Sequence, residues 1–483
     1  MQIVLILIIF LFFNISPVFA KNEILFDNPI EYINKTGCTL SEFCKKFLDD
    51  INVEKFIKEE LENDYVVISL DECLDIALKN NFDIKIEYHT YQSSRYEYQN
   101  ALSKFLPILT TSSYINDFRG QFLVGGVLRD DFHETALSSN FTIRHDLTQG
   151  GRYIYEAKAK KYFSKAQKHK LNYSRNQVLY YTVKYYYDTL FAKLNVEIFL
   201  RNLIERNVQL TKAQALFEVG YGSKFDVTRS ESESAQAKVR LLEALKSFRI
   251  AQSNLANILG IDINTALMPF ESDVKKINLV DEATPIDDLF NIALINREDF
   301  KEFKDLIDYE KQLKKVLYTE FIPKPYIDYQ GQFQGTLGHS VKPNYIMSLT
   351  IDWMPGENFG IGTYTKIKAQ REQIKIKELE YIKRKREVKQ NLIESHATSE
   401  FNNKAIEESK KRVKYALESI DMAMTQFTHG EGTWLDIIQA QTELTEARLE
   451  QVNAIVQYNI AQMELLYYSG QMSAKTIVDN YKP

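Results

Sequence analysis

Glycine and proline are scarce in this chain, at 18 and 10 among 483 residues. They gather at a few places, which excludes a fold built from many turns and favours long uninterrupted helices. Cysteine is scarcer still. Cys38, Cys44 and Cys73 are an odd set too small for a disulfide framework, although Cys38 and Cys44 are close enough in sequence to pair in an oxidising compartment. Neither sign of charge dominates; the net charge is −5, so there is no basic footprint for nucleic acid. Beyond residue 20 no stretch approaches 18 consecutive apolar residues, so no later helix is expected to cross a bilayer. The seven histidines are scattered, and no HExxH, Gly-x-Ser-x-Gly or phosphate-binding loop occurs. That leaves no catalytic constellation, no metal site and no cofactor. The expectation is a protein that is not an enzyme.

What is present is a duplication. Phe217-Glu218-Val219-Gly220-Tyr221-Gly222-Ser223-Lys224-Phe225-Asp226-Val227 returns as Phe427-Thr428-His429-Gly430-Glu431-Gly432-Thr433-Trp434-Leu435-Asp436-Ile437. The glycines suit backbone with φ > 0 that closes a helix. Ser223-x-x-Asp226 and Thr433-x-x-Asp436 then read as capping boxes that open the next helix. From these turns onward the copies run at an offset of 210, matching Gly260 to Gly470. Before them the offset is 216, matching Ile76-Ala77-Leu78 to Ile292-Ala293-Leu294 and Phe105-Leu106-Pro107 to Phe321-Ile322-Pro323.

The expected organisation follows from these matches. Residues 1–20 read as a signal peptide, apolar over 3–13 and ending in Val18-Phe19-Ala20, though without a basic residue before Ile3. No cysteine follows Ala20 to carry a lipid. Residues 21–68 are an extension without a counterpart, 69–260 the first structural repeat, 261–285 a linker, 286–470 the second repeat and 471–483 a C-terminal tail.

Each repeat opens with a helical pattern stopped by Pro107 or Pro323, from Ser69 to about Phe105 and from Pro285 to Pro323. The period then changes to two. Ile327, Tyr329, Gly331 and Phe333 alternate with Asp328, Gln330, Gln332 and Gln334; Tyr345, Met347, Leu349, Ile351 and Trp353 form a second such row. Leu137, Phe141, Ile143 and Leu147 alternate with Ser138, Asn140, Thr142, Arg144 and Asp146 in the first copy. Each copy thus holds one hairpin of strands about ten residues long, the first with the longer loop, Gln121–His133. Long helices follow over about 152–217 and 363–427, with return helices over 224–259 and 434–469 whose apolar residues step by three and four. Alternation with a very polar second face suits a transmembrane barrel strand, and equally a hairpin lying on a soluble core. Four strands cannot close a barrel, and open edges do not persist in lipid, so a membrane reading requires oligomerisation; three chains supply twelve strands.

The two glycine turns, the Ile-Ala-Leu pairs, the alanine-rich return helices (Ala235, Ala237, Ala244; Ala440, Ala447, Ala454) and the doubled helix–hairpin–helix order resemble the TolC-type outer-membrane efflux protein family over about residues 69–470. The resemblance implies a mainly α fold with a small β part. Long antiparallel coiled-coil helices would form an α-helical barrel across the periplasm, and two β-hairpins per chain a trimeric 12-stranded transmembrane β-barrel in the outer membrane. It implies an exit duct for efflux or type I secretion: a homotrimer in contact with outer-membrane lipid, a periplasmic adaptor and an inner-membrane pump. Gly220, Gly222, Ser223, Gly430, Gly432 and Thr433 would form the periplasmic tip and the adaptor contact. Asp226 and Asp436 are candidates for a ring of charge at the closed aperture, although each is also explained as the third residue of a capping box. The alternative is a periplasmic or secreted coiled-coil scaffold that never inserts. The tyrosines from Tyr180 to Tyr187 read as packing rather than a binding site. Lys383-Arg384-Lys385-Arg386 reads as a solvated face or one paired with acids.

Overall fold

The computed structural model describes residues 65–220, 222–281, 283–336 and 342–481. The signal-peptide reading, most of the N-terminal extension and the Cys38–Cys44 pair lie outside the described residues; Cys73 is a buried free thiol. In chain order the elements are β1 (Val66–Ile68), α1 (Leu70–Asn80), α2 (Phe82–Ser103), β2 (Ile108–Val124), β3 (Val127–Asp146), α3 (Arg152–Glu218) and α4 (Lys224–Leu259). Then come β4 (Leu267–Pro269), α5 (Ile286–Asn296), α6 (Glu298–Tyr318), β5 (Lys324–Thr336), β6 (Lys342–Asp352), α7 (Ile361–His429), α8 (Trp434–Ser469) and α9 (Ala474–Tyr481).

The opening helix of each repeat is two helices, where the sequence pattern suggested one. The break falls at Asn81 (φ −56°, ψ 130°) and at its counterpart Arg297 (φ −64°, ψ 127°). Asn81 is a preferred N-cap residue, whereas Arg297 is no helix breaker by type, and both breaks are fixed by tertiary partners. Asn81 caps α2 by accepting from the Asp83 and Ile84 amides at 2.9 and 3.3 Å, and its Nδ2 donates to the Ile258 carbonyl at 2.8 Å. Arg297 donates through Nη1 to the Tyr467 and Tyr468 carbonyls at 3.2 and 3.1 Å, and through Nη2 to Asp299 at 2.7 Å. Each break thus receives the last turn of its own return helix and satisfies carbonyls left over at that end. The glycine that ends the return helix sits hard against the break. A Cβ on Gly260 (φ 67°) would lie 2.6 Å from the Asn80 carbonyl oxygen, and one on Gly470 (φ 74°) 2.9 Å from Arg297 Cγ.

The four long strands form one antiparallel sheet in the order β2-β3-β5-β6. They are longer than the alternation suggested, at 17, 20, 13 and 11 residues. The long loop expected over Gln121–His133 is instead paired strand. β2 and β3 run on to Val124 opposite Val127, and Gly125 and Gly126, both with positive φ, make a two-residue turn. β5 stops pairing with β3 at Thr336 opposite Ala136, so the outer part of β2 and β3 is a two-stranded ribbon. Its eight further β2 residues, 117–124, reach roughly 25 Å past the sheet. At the ribbon's foot Asp117 binds Arg119 at 2.7 Å and His133 at 2.9 Å, ending the apolar row that Ile115 and Leu137 share below.

One face of the sheet carries Leu109, Ile115, Ile143, Ile327, Tyr329, Met347, Leu349 and Ile351; the other carries Ser112, Asn140, Thr142, Gln330, Gln332, Ser348 and Thr350. On the apolar face Phe141 lies over Gly331, where a Cβ would fall 2.1 Å from the ring, and Tyr329, Phe333 and Tyr345 surround it. Met347, Leu349 and Ile351 are 75%, 67% and 64% exposed. Among the described residues the outer edges of β2 and β6 have no neighbouring strand.

From the base of the sheet α3 and α7 run for 67 and 69 residues, about 100 Å, and α4 and α8 return for 36 each. The main core lies where the return helices meet the broken ones. Tyr186, Tyr187 and Tyr458 are fully buried there, and Tyr180 stacks on Tyr467 at 4.8 Å, so the tyrosine run is core. The short parallel pair β1–β4 seals this core with Val66 opposite Leu267, a pairing the sequence pattern did not suggest. Of the basic run, Arg384 turns inward to Asp299 at 2.9 Å and the Tyr173 hydroxyl at 2.8 Å, while Lys383 stays exposed. Among the described residues no helix is long and apolar enough to cross a membrane.

Two outcomes follow. Gly260→Ala should lower stability by about 2 kcal/mol or more, because it adds left-handed strain and a backbone clash at the joint; thermal unfolding followed by circular dichroism reads this. Half-buried Glu302 on α6 is pushed up to about 7, chiefly by desolvation, with Asp299 and Glu87 adding to it and Lys170 and Arg384 opposing. The folded state therefore holds this proton where the unfolded chain, titrating near an ordinary glutamate, has lost it. Stability from Glu302 is present below that ordinary value and is lost as pH rises through about 7. Melting temperatures from pH 4.5 to 8 should fall less steeply in Glu302→Gln than in the parent protein.

Candidate functional site

At the end of the long helices away from the sheet lie the two glycine turns. The first closes α3 through Gly220 (φ 80°), whose amide donates to the Phe217 carbonyl at 3.0 Å; the second closes α7 through Gly430 (φ 78°), donating to the Phe427 carbonyl at 3.1 Å. Of the four turn glycines these two use the left-handed region. Gly222 and Gly432, which the sequence pattern put in the same role, have ordinary φ and are needed for closeness instead. A Cβ on Gly222 would stand 2.9 Å from the Phe217 nitrogen, and one on Gly432 3.0 Å from Gln426 Cβ. The Gly222 and Gly432 amides reach back to the Leu216 and Gln426 carbonyls at 2.8 and 3.1 Å, which ties off each helix end.

Both capping boxes are formed. Ser223 Oγ accepts from the Asp226 amide at 3.1 Å, and Asp226 Oδ2 accepts from the Ser223 hydroxyl at 2.6 Å and its amide at 3.3 Å. Thr433 and Asp436 repeat this, with the Thr433 amide and hydroxyl donating to Asp436 Oδ2 at 2.7 and 2.6 Å. The Thr433 hydroxyl and amide hold the Asp436 carboxyl below its usual range. Asp436 is exposed and Asp226 half-buried, so each carboxylate fixes a helix start while keeping a side toward solvent.

The two turns are held beside each other by a residue that the sequence pattern did not single out. Trp434 is 9% exposed; its indole N–H donates to Ser230 of α4 at 3.0 Å, and its ring meets Phe427 edge-on at 5.2 Å. Val227, Ala213, Ile437 and Ile438 close the cluster. A tryptophan directly after a capping threonine, where the first copy has Lys224, was the available signal. Further up, Asn202 donates to Thr445 at 3.0 Å, and Arg206 to Thr442 at 2.8 Å and the Ile438 carbonyl at 3.3 Å, so a polar seam joins α3 to α8. A groove of about 530 Å³ opens between the pairs, lined by Val208, Leu216, Met424, Phe427, Trp434 and Ile437 among others. Phe217, Val219, Phe225 and Leu435 are exposed around the turns, so the tip presents apolar side chains and carboxylates together. Among the described residues no group of histidine, cysteine, aspartate and glutamate side chains gathers as a metal site.

Comparison with known proteins places this arrangement. Residues 73–261, the first repeat, match the family model "Outer membrane efflux protein". No curated protein matches the sequence. Among solved structures, the Campylobacter jejuni CmeC outer membrane channel shares the fold with a TM-score of 0.72 at 16% identity, over 85% of this chain and 88% of that one. The outer-membrane channel OprN gives 0.71 at 15% identity, over 83% and 89%. The Vibrio cholerae outer membrane protein VceC gives 0.70 at 14% identity, over 83% and 96%. The first repeat thus matches the outer membrane efflux family in sequence, and more than four fifths of the chain shares the fold of these outer-membrane channels.

Proposed function

We propose that the chain is an outer-membrane exit duct for efflux or type I secretion: a passive conduit that makes and breaks no covalent bond. The observation that carries this reading is the sheet. It has four strands, a strongly apolar exposed face, a polar second face, and two edges with no partner among the described residues. In water such edges invite aggregation, and in lipid each unpaired backbone group costs several kcal/mol. Three copies joined edge to edge close a twelve-stranded barrel with the apolar faces toward outer-membrane lipid and the polar faces lining a wet lumen. The helices, about 100 Å long, then extend the lumen through the periplasm. The tip groove and exposed apolar turns support a contact with a periplasmic adaptor, and through it with an inner-membrane pump. A scaffold that stays in water has no use for a row such as Met347, Leu349 and Ile351 on an edge strand, and is not favoured.

In this reading Asp226 and Asp436 from three copies ring the periplasmic aperture and favour cations there. Three-fold particles with a long tube beyond the detergent belt, seen by electron microscopy of detergent-extracted protein, are the expected result; elongated monomers soluble without detergent would overturn the duct. In planar bilayers the double variant Asp226→Asn/Asp436→Asn should lose most of the cation preference measured by reversal potential. Thr433→Val removes a capping hydroxyl and keeps the charge. It should cost about 1 kcal/mol of stability and leave selectivity unchanged. If both variants change selectivity equally, the carboxylates act only as caps.

A further inference from the structure

The duplication makes the joint between the two repeats within one chain a template for the joint between neighbouring copies. Inside the chain, β3 of the first repeat lies against β5 of the second, and the turn after β3 packs on the base of β5. That turn has Gln149 at φ 51°, Gly150 at 66° and Gly151 at 91°. The turn after β6 repeats it with Asn358 at 50°, Phe359 at 60° and Gly360 at 87°. Gly151 and Gly360 are the N-caps of the equivalent helices α3 and α7, so Phe359 stands where the first copy has Gly150.

The two positions differ sharply in surroundings. Gly150 is pressed against Ile322 and Pro323; a Cβ there would lie 3.2 Å from the Ile322 Cβ and from both carbonyl oxygens. Phe359 is 98% exposed. A phenylalanine in left-handed backbone costs of order 1–3 kcal/mol, and within its own chain this one recovers nothing for it. The counterparts of Ile322 and Pro323 are Leu106 and Pro107, and Leu106 is likewise left 65% exposed.

We propose that Phe359 is a wedge that packs on Leu106 and Pro107 of a neighbouring copy, beneath a β6–β2 pairing between the copies whose register follows from the duplication. This rests on the oligomeric duct reading and deepens it to residues. Arg144 pairs with Ile108 and Asp352 with Lys324, and Ile108 and Lys324 are equivalent, so Asp352 is the counterpart of Arg144. Arg144 faces Asp328, whose counterpart in β2 is Ser112. Asp352 therefore faces Ser112 of the next copy, and Ile351 faces its Ser113. The alternation agrees independently. Ile351 and Ser113 both lie on the apolar face, so this register joins lipid-facing rows to lipid-facing rows. The joint beneath differs from its template by one large ring. The contact inside the chain is a close backbone approach, and the contact between copies is a side chain laid on Leu106.

Directly opposed strand residues have Cα atoms about 4.5–5.5 Å apart, inside the Cα range of disulfides, whereas diagonal neighbours stand about 7–8 Å apart. In a full-length Cys38→Ser/Cys44→Ser background, Ile351→Cys/Ser113→Cys should form covalent trimers under mild oxidation in membranes, and neither single variant should. Ile351→Cys/Ile115→Cys, displaced by two residues, should link at least tenfold less. Phe359→Gly suits the same φ, so helical content and thermal unfolding should hold, while trimer dissociation in detergent should speed up on the order of tenfold or more. Leu106→Ala should do the same, and the two together little more than either alone. Trimers that link through 115 rather than 113, or a Phe359→Gly trimer as durable as the parent, would overturn the inference and leave the duct standing. A parent protein that is monomeric in membranes would overturn both.

Discussion

A backbone amide in hydrocarbon has no water to turn to, and in the proposed duct the rest of the molecule depends on that constraint. The β2 and β6 edges expose rows of donors and acceptors that one chain cannot pair. A sheet of this width could be finished by more strands from the same chain or by other chains. Here the chain spends its length on helices, with α3 and α7 alone taking 67 and 69 residues. In the proposed duct closure is left to copies, so stability would be inseparable from assembly.

Long helices need something to stop them sliding, because a coiled-coil seam repeats and tolerates shifts by a heptad. The chain sets the register at the broken opening helices. Asn81 and Arg297 each open a helix, and into each opening comes a glycine-ended return helix that admits no Cβ. One joint uses a neutral amide and the other a guanidinium held by Asp299, with Arg384 bridging to the same carboxylate. The charged version is the more demanding of the two, since removing one partner leaves a buried charge exposed to an apolar core. Placed midway along the helices, these joints make the two hairpins rigid at one end and leave the turns to be held by Trp434 and the polar seam.

What was readable in the sequence was local. Gly220, Gly430, the Ser-x-x-Asp and Thr-x-x-Asp boxes, and the switch from period 3.6 to period 2 at Pro107 and Pro323 each follow from short-range chemistry, and each stands in the structure. What was not readable was tertiary. Arg297 has no intrinsic reason to break a helix, and the distant partners that fix both breaks, from Asn81 to Ile258 and from Arg297 to Tyr467, lie more than 160 residues away. Gly222 and Gly432 looked like left-handed residues and are instead points of close approach, which needs the partner's position to see. The turn at Gly125–Gly126 lies between Phe122-Leu123-Val124 and Val127-Leu128, and it was read as loop because those continuous apolar runs carry no period-two alternation. At the tip, spacing revealed the caps. The neighbour across the gap, Ser230 for Trp434, was beyond it.

The ribbon of β2 and β3 has a consequence for shape. It belongs to the first repeat only; the second hairpin ends at Thr336 and resumes at Lys342, level with the foot of the ribbon. In the proposed ring of three copies the hairpins alternate, so its outer rim would be a crown of three tall points and three low gaps rather than a level lip. Anything approaching from outside, whether an antibody, a phage or a large solute, meets the first repeat before it meets the second. In the proposed duct the two halves of the duplicated chain would thus differ at their summits while sharing one task at the membrane.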